Sequence, residues 1–445
     1  MAQQGQLMIT PHIAQNSFSG FVSSSLDDIL GKLLEGDLDF AQDAENSTMH
    51  NLHAFPAKYP PALPRLFIQH LTQPGEVVLD PMVGSGTTVL EAIRIDRHGI
   101  GVDVDPLALL LAQVKAAPPD PTRAFQSGSS VCNRAYLMLQ RERPSLRREM
   151  RRRFDDRTLD FLDYWFARET QEELVALLLQ IETEPDPEIR QFLRLCFSGI
   201  IVTKSGGVSL AMDLAHTRPH KVERKTPRPA IEEFAKRLRK NVASIQQTGR
   251  SPGQAAILCA DARALPLRDN SVHLIITSPP YAANAIDYMR AHKFSLVWFG
   301  YPIDRLSSRR KEYVGQEASQ YDLPLPLPES AQQVIQRVCE ADARKAKVLE
   351  RYYQDMTRVM REAYRVLLPG RCAVFVVASS RLRGIDTRAD LCLSEIAQTV
   401  GFRVAGVGTR CIRRDRRMMP ASRHLDNSSV IEQRMHQEYV IGLIK

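Results

Sequence analysis

The chain of 445 residues carries 59 Lys and Arg against 51 Asp and Glu, a formal net charge of +8, with 44% hydrophobic and 25% charged residues. This composition suits a protein able to bury a core and excludes a collagen-like repeat, a long disordered tail and a disulfide miniprotein. The positive excess points to a polyanionic partner, and the length sets a soft prior of two or three domains, or of one large domain carrying an insertion.

Seven scattered cysteines contain no CxxC pair. They argue against a metal ribbon or a disulfide framework, so no metal site is expected, and they suit a reducing cytosol. Neither a secretory leader nor a run of about 20 apolar residues is found, which predicts a cytoplasmic protein without a membrane partner.

Residues 1–45 read as a loosely attached N-terminal lead-in with one short amphipathic stretch, Leu26 to Leu34. From Val77 the pattern is α/β: a buried-type strand Val77 to Asp80, a glycine turn, a helix from Thr87 to Arg97, and a second strand Gly99 to Val104. The pattern stops over residues 116–255, a mostly helical stretch in which Leu159–Ala167, Glu172–Ile181 and Ile189–Ile201 show apolar spacings of three and four. It resumes with strands at Ala256–Cys259, Val272–Thr277, Cys372–Ala378, Arg403–Ile412 and Glu438–Ile444. Seven strands interleaved with helices predict an α/β fold built on a mainly parallel, doubly wound sheet with a helical insertion. The expected division is 46–115 with 256–445 as the main domain and 116–255 as the insertion. Ligands of such sheets sit at the carboxyl ends of the strands.

Two turns stand at such ends. Asp80-Pro-Met-Val-Gly-Ser-Gly-Thr-Thr88 joins strand to helix, and Gly84 and Gly86 let the backbone approach a ligand near unpaired helix N–H groups. It lacks the Lys of a nucleotide P-loop, and Val89 stands where the dinucleotide fingerprint needs a third small residue. Asp103, 19 residues after Gly84, is placed to accept from ribose hydroxyls. Thr277-Ser-Pro-Pro-Tyr281 follows an apolar strand; its prolines remove two donors and hold a Ser and a Tyr in fixed directions. Such a turn can accept from an exocyclic amino group while the Tyr stacks on a flat ring. A structural tight turn and a strand-ending turn with a core Tyr are the alternatives for the two segments.

Taken together, these motifs resemble those of the S-adenosylmethionine-dependent DNA amino-methyltransferases, especially enzymes modifying N4 of cytosine. The resemblance includes His53-Ala-Phe-Pro-Ala-Lys-Tyr-Pro-Pro61 upstream and Ala285 to Phe294 downstream, and covers residues 50–115 and 256–445. It implies that Asp80, Gly84, Ser85 and Gly86 line the methionine end of the cofactor, with Thr87 and Thr88 capping the helix there. Asp103 would bind the ribose and Asp261 the adenine amino group, and Phe55, Pro56 and Lys58 would roof the pocket. Ser278 and the Pro279 carbonyl would accept the target amino hydrogens, with Pro280 stiffening the turn and Tyr281 stacking on the flipped base. The methyl group would move in line with no covalent enzyme intermediate. Carbon-5 methylation would need a Cys following a Pro, and none is present. Asp or Asn is usual at the Ser278 position in adenine-N6 enzymes, which favours cytosine N4; adenine N6 remains the alternative, ahead of a non-catalytic DNA-binding regulator.

Three arginine-rich stretches are candidate phosphate contacts with double-stranded DNA. They are 141–153, with Arg147, Arg151 and Arg152; 218–229, with Arg218, Lys221 and Arg224; and 410–417, with Arg413 and Arg416. Solvated faces are the alternative. The insertion is the candidate recognition region, although it comes earlier than the family order places such a region. A cognate restriction endonuclease is a further candidate partner.

Overall fold

The computed structural model describes residues 25–40, 48–56, 58–203, 207–212, 214, 219–282, 287–315, 325–411 and 437–445. The strands are, in chain order, β1 Val77–Asp80, β2 His98–Asp103, β3 Ala211–Met212, β4 His220–Lys221, β5 Ala255–Cys259, β6 Val272–Thr277, β7 Leu367–Val377, β8 Arg381–Leu382, β9 Ile385–Asp386, β10 Arg403–Cys411 and β11 Gln437–Ile444. Seven form one sheet in the order β10-β11-β7-β6-β1-β2-β5, and the other four make two short ribbons. The pairings of β1 with β2 and β6, of β2 with β5 and of β6 with β7 are parallel. Only β11 runs against its neighbours β7 and β10. The expected mainly parallel, seven-stranded sheet is therefore the architecture.

Alternate residues of the central strands feed two cores, as a sheet covered on both faces requires. Val78, Leu274, Ile276 and Val374 face helices Leu26–Glu35 and Ala62–Leu71, whereas Leu79, Ile275 and Phe375 face helices Ala343–Val366 and Ala389–Val400. Strand β7 begins at Leu367, earlier than expected, because its Leu-Pro-Gly start, which reads as a turn, continues the pairing across an irregularity beside Val272. The helix after the glycine turn stops at Arg94 rather than Arg97, since Asp96 takes a left-handed φ of 64°.

The lead-in departs from expectation. Helix Leu26–Glu35 opens on a capping box between Ser25 and Asp28, and Leu30 and Leu33 are fully buried. A Cβ on Gly442 would lie 2.5 Å from Leu34 Cδ1, so the bare backbone of β11 is what lets this helix settle on the sheet. Residues 25–40 are thus docked rather than loose.

The insertion contains helices Pro121–Arg141, Arg143–Arg153, Asp156–Trp165, Arg168–Glu182, Pro187–Ile201 and Ala230–Thr248. Asp120 and Asp186 cap the helices that follow them, each with Pro at the first helical position. This bundle has no core of its own. Leu174, Phe192 and Phe234 belong to the same cluster as Leu111, Phe294 and Trp298, and Trp298 meets Phe154 and Phe166 edge-on at 5.8 and 5.4 Å.

Candidate functional site

A cavity of about 860 Å³, open mouth included, lies at the carboxyl ends of β1, β2, β5 and β6. The glycine turn forms its floor. Gly84 and Gly86 have φ of 45° and 77°, and a Cβ on Gly86 would sit 3.1 Å from Ala112 Cα. The Gly84 N–H donates to Asp103 Oδ2 at 2.9 Å, which locks the turn to the end of β2. Beneath it the buried Lys115 ammonium donates to the Ser85 carbonyl at 2.6 Å.

Gly86 itself is the N-cap, and no side chain caps the helix. The expected capping by Thr87 and Thr88 is therefore corrected. Thr88 donates to Asp80 Oδ2 at 2.7 Å and Thr87 pairs with Ser85 at 3.0 Å. A buried carboxylate without a cation is the stronger acceptor for the Thr88 hydroxyl.

Burial pushes the Asp80 carboxyl up to about 6, opposed by the Thr88 hydrogen bond. Asp103 rises to about 7, through burial and then the neighbouring charge of Asp105. Burial would raise Asp105 as well, yet His292 at 2.6 Å and Tyr313 at 2.9 Å hold it below the usual range. Asp105 also caps the helix Pro106–Ala116.

Of the expected roof, Phe55 and Lys58 line the cavity, while Pro56 is buried off its wall. Phe55 stacks on Tyr288 with centroids 5.4 Å apart, and Lys58 donates to the His50 carbonyl at 2.7 Å. Asp261 also faces the cavity, its carboxylate gripped by Arg263 Nε at 2.9 Å and Nη2 at 2.7 Å. Gly84, Ser85, Thr87, Asp80 and Asp103 are on the wall; Gly86 and Thr88 lie behind it.

The Ser-Pro-Pro-Tyr turn reaches the same cavity through Ser278 and Pro280, whereas Pro279 and Tyr281 do not line it. The Tyr281 hydroxyl donates to Glu438, which also accepts from Arg410 Nη1 at 2.5 Å. Sequence reasoning missed Glu438, together with Tyr288, Glu312, Tyr313 and Val314 on the wall, and it counted Arg410 in the 410–417 run of phosphate contacts, whereas Arg410 is buried against Glu438. Tyr288 falls inside the noted segment 285–294, so an aromatic there was a usable signal. Glu312 to Val314 lie between the predicted strands Val272–Thr277 and Cys372–Ala378, and nothing local marks them.

The candidate DNA contacts divide. Arg147 donates to the buried Glu172 at 2.6 Å and Arg152 to Glu149, so part of the 141–153 run is neutralised within the protein. Arg151 and Arg224 are exposed, and Lys221 holds its ammonium 4.4 Å from the Tyr164 ring centroid. Arg218, Arg413 and Arg416 lie outside the described residues. Among the described residues no helix is long and apolar enough to cross a membrane.

Residues 26–113 match the N6/N4 family model described as DNA methylase. The chain is similar to the Type II methyltransferase M.MvaI of Kocuria varians, 23% identical over 383 residues that span 81% of this chain and 83% of that protein. M.BsoBI of Geobacillus stearothermophilus is 22% identical over 418 residues, spanning 81% and 80%. M.AvaI of Nostoc sp. is 24% identical over 379 residues, spanning 76% of each chain. The matched domain and these relatives support a DNA methyltransferase, with S-adenosylmethionine as the implied methyl donor, and do not separate N4 of cytosine from N6 of adenine.

Proposed function

We propose that the chain transfers a methyl group from S-adenosylmethionine to the exocyclic N4 amino group of cytosine in duplex DNA. The observation that carries this reading is the opening of Ser278 and Pro280 onto the same cavity as Asp80, Asp103 and Asp261. The donor set suits the cofactor. Asp80, a buried carboxylate without a cation, is matched to the α-ammonium of the methionine end. Asp103 accepts from the ribose hydroxyls, Asp261 from the adenine amino group, and Phe55 covers the site. The bound cofactor supplies an electrophilic methyl group.

The remaining chemistry belongs to the chain. An aromatic amine has its lone pair conjugated into the ring, so it becomes nucleophilic only when drawn toward tetrahedral geometry. Ser278 Oγ and the Pro279 carbonyl accept its two hydrogens and direct the lone pair at the methyl group. Positioning and fixed dipoles carry most of the rate. The base must leave the duplex to reach this turn, and Tyr281 offers it a stacking face. Arg151, Lys221 and Arg224 contribute phosphate contacts. A restriction endonuclease reading the same sequence is the partner this function calls for.

Incubation with labelled cofactor and DNA, followed by nucleoside digestion, should yield N4-methylcytosine. N6-methyladenine would move the specificity to the second reading, and no labelled nucleoside would remove both. Ser278→Ala should lower turnover by about 100-fold or more while cofactor affinity stays within about threefold.

A further inference from the structure

Glu438 and Arg410 lie on the two strands at the sheet edge, directly paired in register. Both are more than nine-tenths buried, and Arg410 Nη1 donates to Glu438 Oε2 at 2.5 Å. The other carboxylate oxygen, Oε1, accepts the hydroxyl of Tyr281, the last residue of the Ser-Pro-Pro-Tyr turn. One residue further on, the Ala282 carbonyl accepts from the buried Ser380 hydroxyl.

A buried ion pair at a sheet edge contributes little net stability, because removing two charges from water offsets their attraction. This pair does provide a charged acceptor aimed at a phenol, and such a bond is roughly twice as strong as a neutral one. A tyrosine held only by its backbone can swing its ring about the first side-chain torsion; held also by its hydroxyl, which lies on the long axis of the ring, it keeps one direction. Arg410 donates to Glu438 in its buried place, and burial together with the neighbouring Glu438 pushes the Tyr281 phenol well above its ordinary value, so that it serves as a donor.

We infer that Glu438 and Arg410 are positioning residues, which fix the direction of the Tyr281 side chain and with it the catalytic turn. The inference rests on the amino-methyltransferase reading above. A residue that orients the acceptors governs turnover, since a displacement of about 1 Å can cost on the order of 100-fold, and leaves cofactor binding alone.

Steady-state methylation of plasmid DNA, with cofactor affinity measured separately by calorimetry, tests it on the full chain. Glu438→Leu should lower kcat about 10- to 100-fold with cofactor affinity unchanged. Tyr281→Phe, which keeps the ring and removes the donor, should lower it in the same direction, and the double variant should lose no more than the worse single one. Glu438→Gln combined with Arg410→Met restores a neutral acceptor without a stranded charge and should recover most of the rate. Wild-type kcat in Glu438→Leu, additive losses in the double variant, or an equal fall in cofactor affinity would each overturn the tether while leaving the methyl-transfer reading intact. Wild-type protein that methylates no DNA overturns both. Should Glu438→Leu fail to fold, the cycle between Tyr281→Phe and Glu438→Gln decides by the same additivity criterion.

Discussion

Four carboxylates surround the glycine turn, and they fall into two pairs. Glu91 and Asp105 are buried and nevertheless held ionised. Glu91 receives His50 at 2.8 Å, Arg65 at 2.5 Å and Arg94 at 3.1 Å, which bring it down to about 2 against the effect of burial. Asp105 has His292 and Tyr313. Among the described residues Asp80 and Asp103 have neutral donors, Thr88, Thr277, Tyr59 and the Met82 N–H for one, the Gly84 and Asp105 N–H groups for the other, and burial lifts them to about 6 and about 7. Burial bears on all four, so what separates them is a basic partner, two arginines for Glu91 and a histidine for Asp105. Among the described residues, Asp80 and Asp103 open on the cavity without one. The complement to their charge comes from what binds there, whereas Glu91 and Asp105 brace the wall; Asp105 also borders the cavity, but its oxygens are committed to the protein.

The largest effect expected from this contrast is at Glu91. Glu91→Leu strands His50 and two arginines at a site that is itself fully buried. Removing one partner of a buried pair costs about 3–5 kcal/mol. Arg65 and Arg94 are about a third exposed and can turn to water, which places the loss near the lower end. Urea unfolding should show a lower midpoint with an unchanged slope. A midpoint equal to that of wild type would break the assignment of Glu91 to the scaffold.

Asp103→Ala should behave in the opposite way. Its carboxylate has no cation to strand, so the unfolding midpoint should move little. The loss appears in cofactor affinity, about 10- to 100-fold by calorimetry, the range for hydrogen bonds to a charged group. A variant that unfolds easily yet binds S-adenosylmethionine normally would place Asp103 with Glu91 and dissolve the distinction.

Much of this was legible in the chain. The seven strands stand out because strands buried on both faces read as short apolar runs between turns, as Val77 to Leu79 and Leu274 to Ile276 do. That Asp80, Asp103 and Asp261 line one cavity agrees with the rule that parallel sheets place their ligands at strand ends, while the parts given to Asp80 and Asp261 came from the family resemblance. Other features depend on distance. Glu172 and Glu182 neutralise Arg147 and Arg153 from 25 and 29 residues away, so a run that counts as strongly basic is partly an internal ion-pair surface. Glu438 meets Tyr281 across 157 residues, and only the sheet order brings them together. The docking of helix Leu26–Glu35 depends on Gly442, a small residue inside a strand whose significance appears only once its neighbour is known.

The smallest effect is also the most discriminating, because it follows a proton rather than a deletion. A protonated Asp103 cannot accept from both ribose hydroxyls, and binding them favours the ionised form. With a pKa raised to about 7 in the free protein, the binding-competent fraction falls as the pH drops through that value. Affinity for S-adenosylmethionine should therefore be level above about pH 8 and fall about tenfold by pH 6. Scaffold stability follows other groups besides Asp103. His50 and His53, held neutral by burial down to about 4 and about 3, cost stability as the pH falls below 6.5, since the unfolded chain takes up protons the folded one refuses. Glu91 contributes fully above 4.5 and loses its contribution as the pH falls toward 2. Asp103→Asn separates these processes. It should bind more weakly at pH 8 and lose most of the pH slope of affinity between 8 and 6, leaving the smaller part that Asp80, raised to about 6, contributes. In unfolding, wild type gains stability from Asp103 as the pH falls from about 7 toward 3.8, because the folded carboxyl takes up its proton first, and Asp103→Asn should lose that gain while keeping the dependence due to His50, His53 and Glu91. A slope that survives undiminished in Asp103→Asn would assign the titration to another group, and the contrast between the two pairs of carboxylates would then rest on geometry alone.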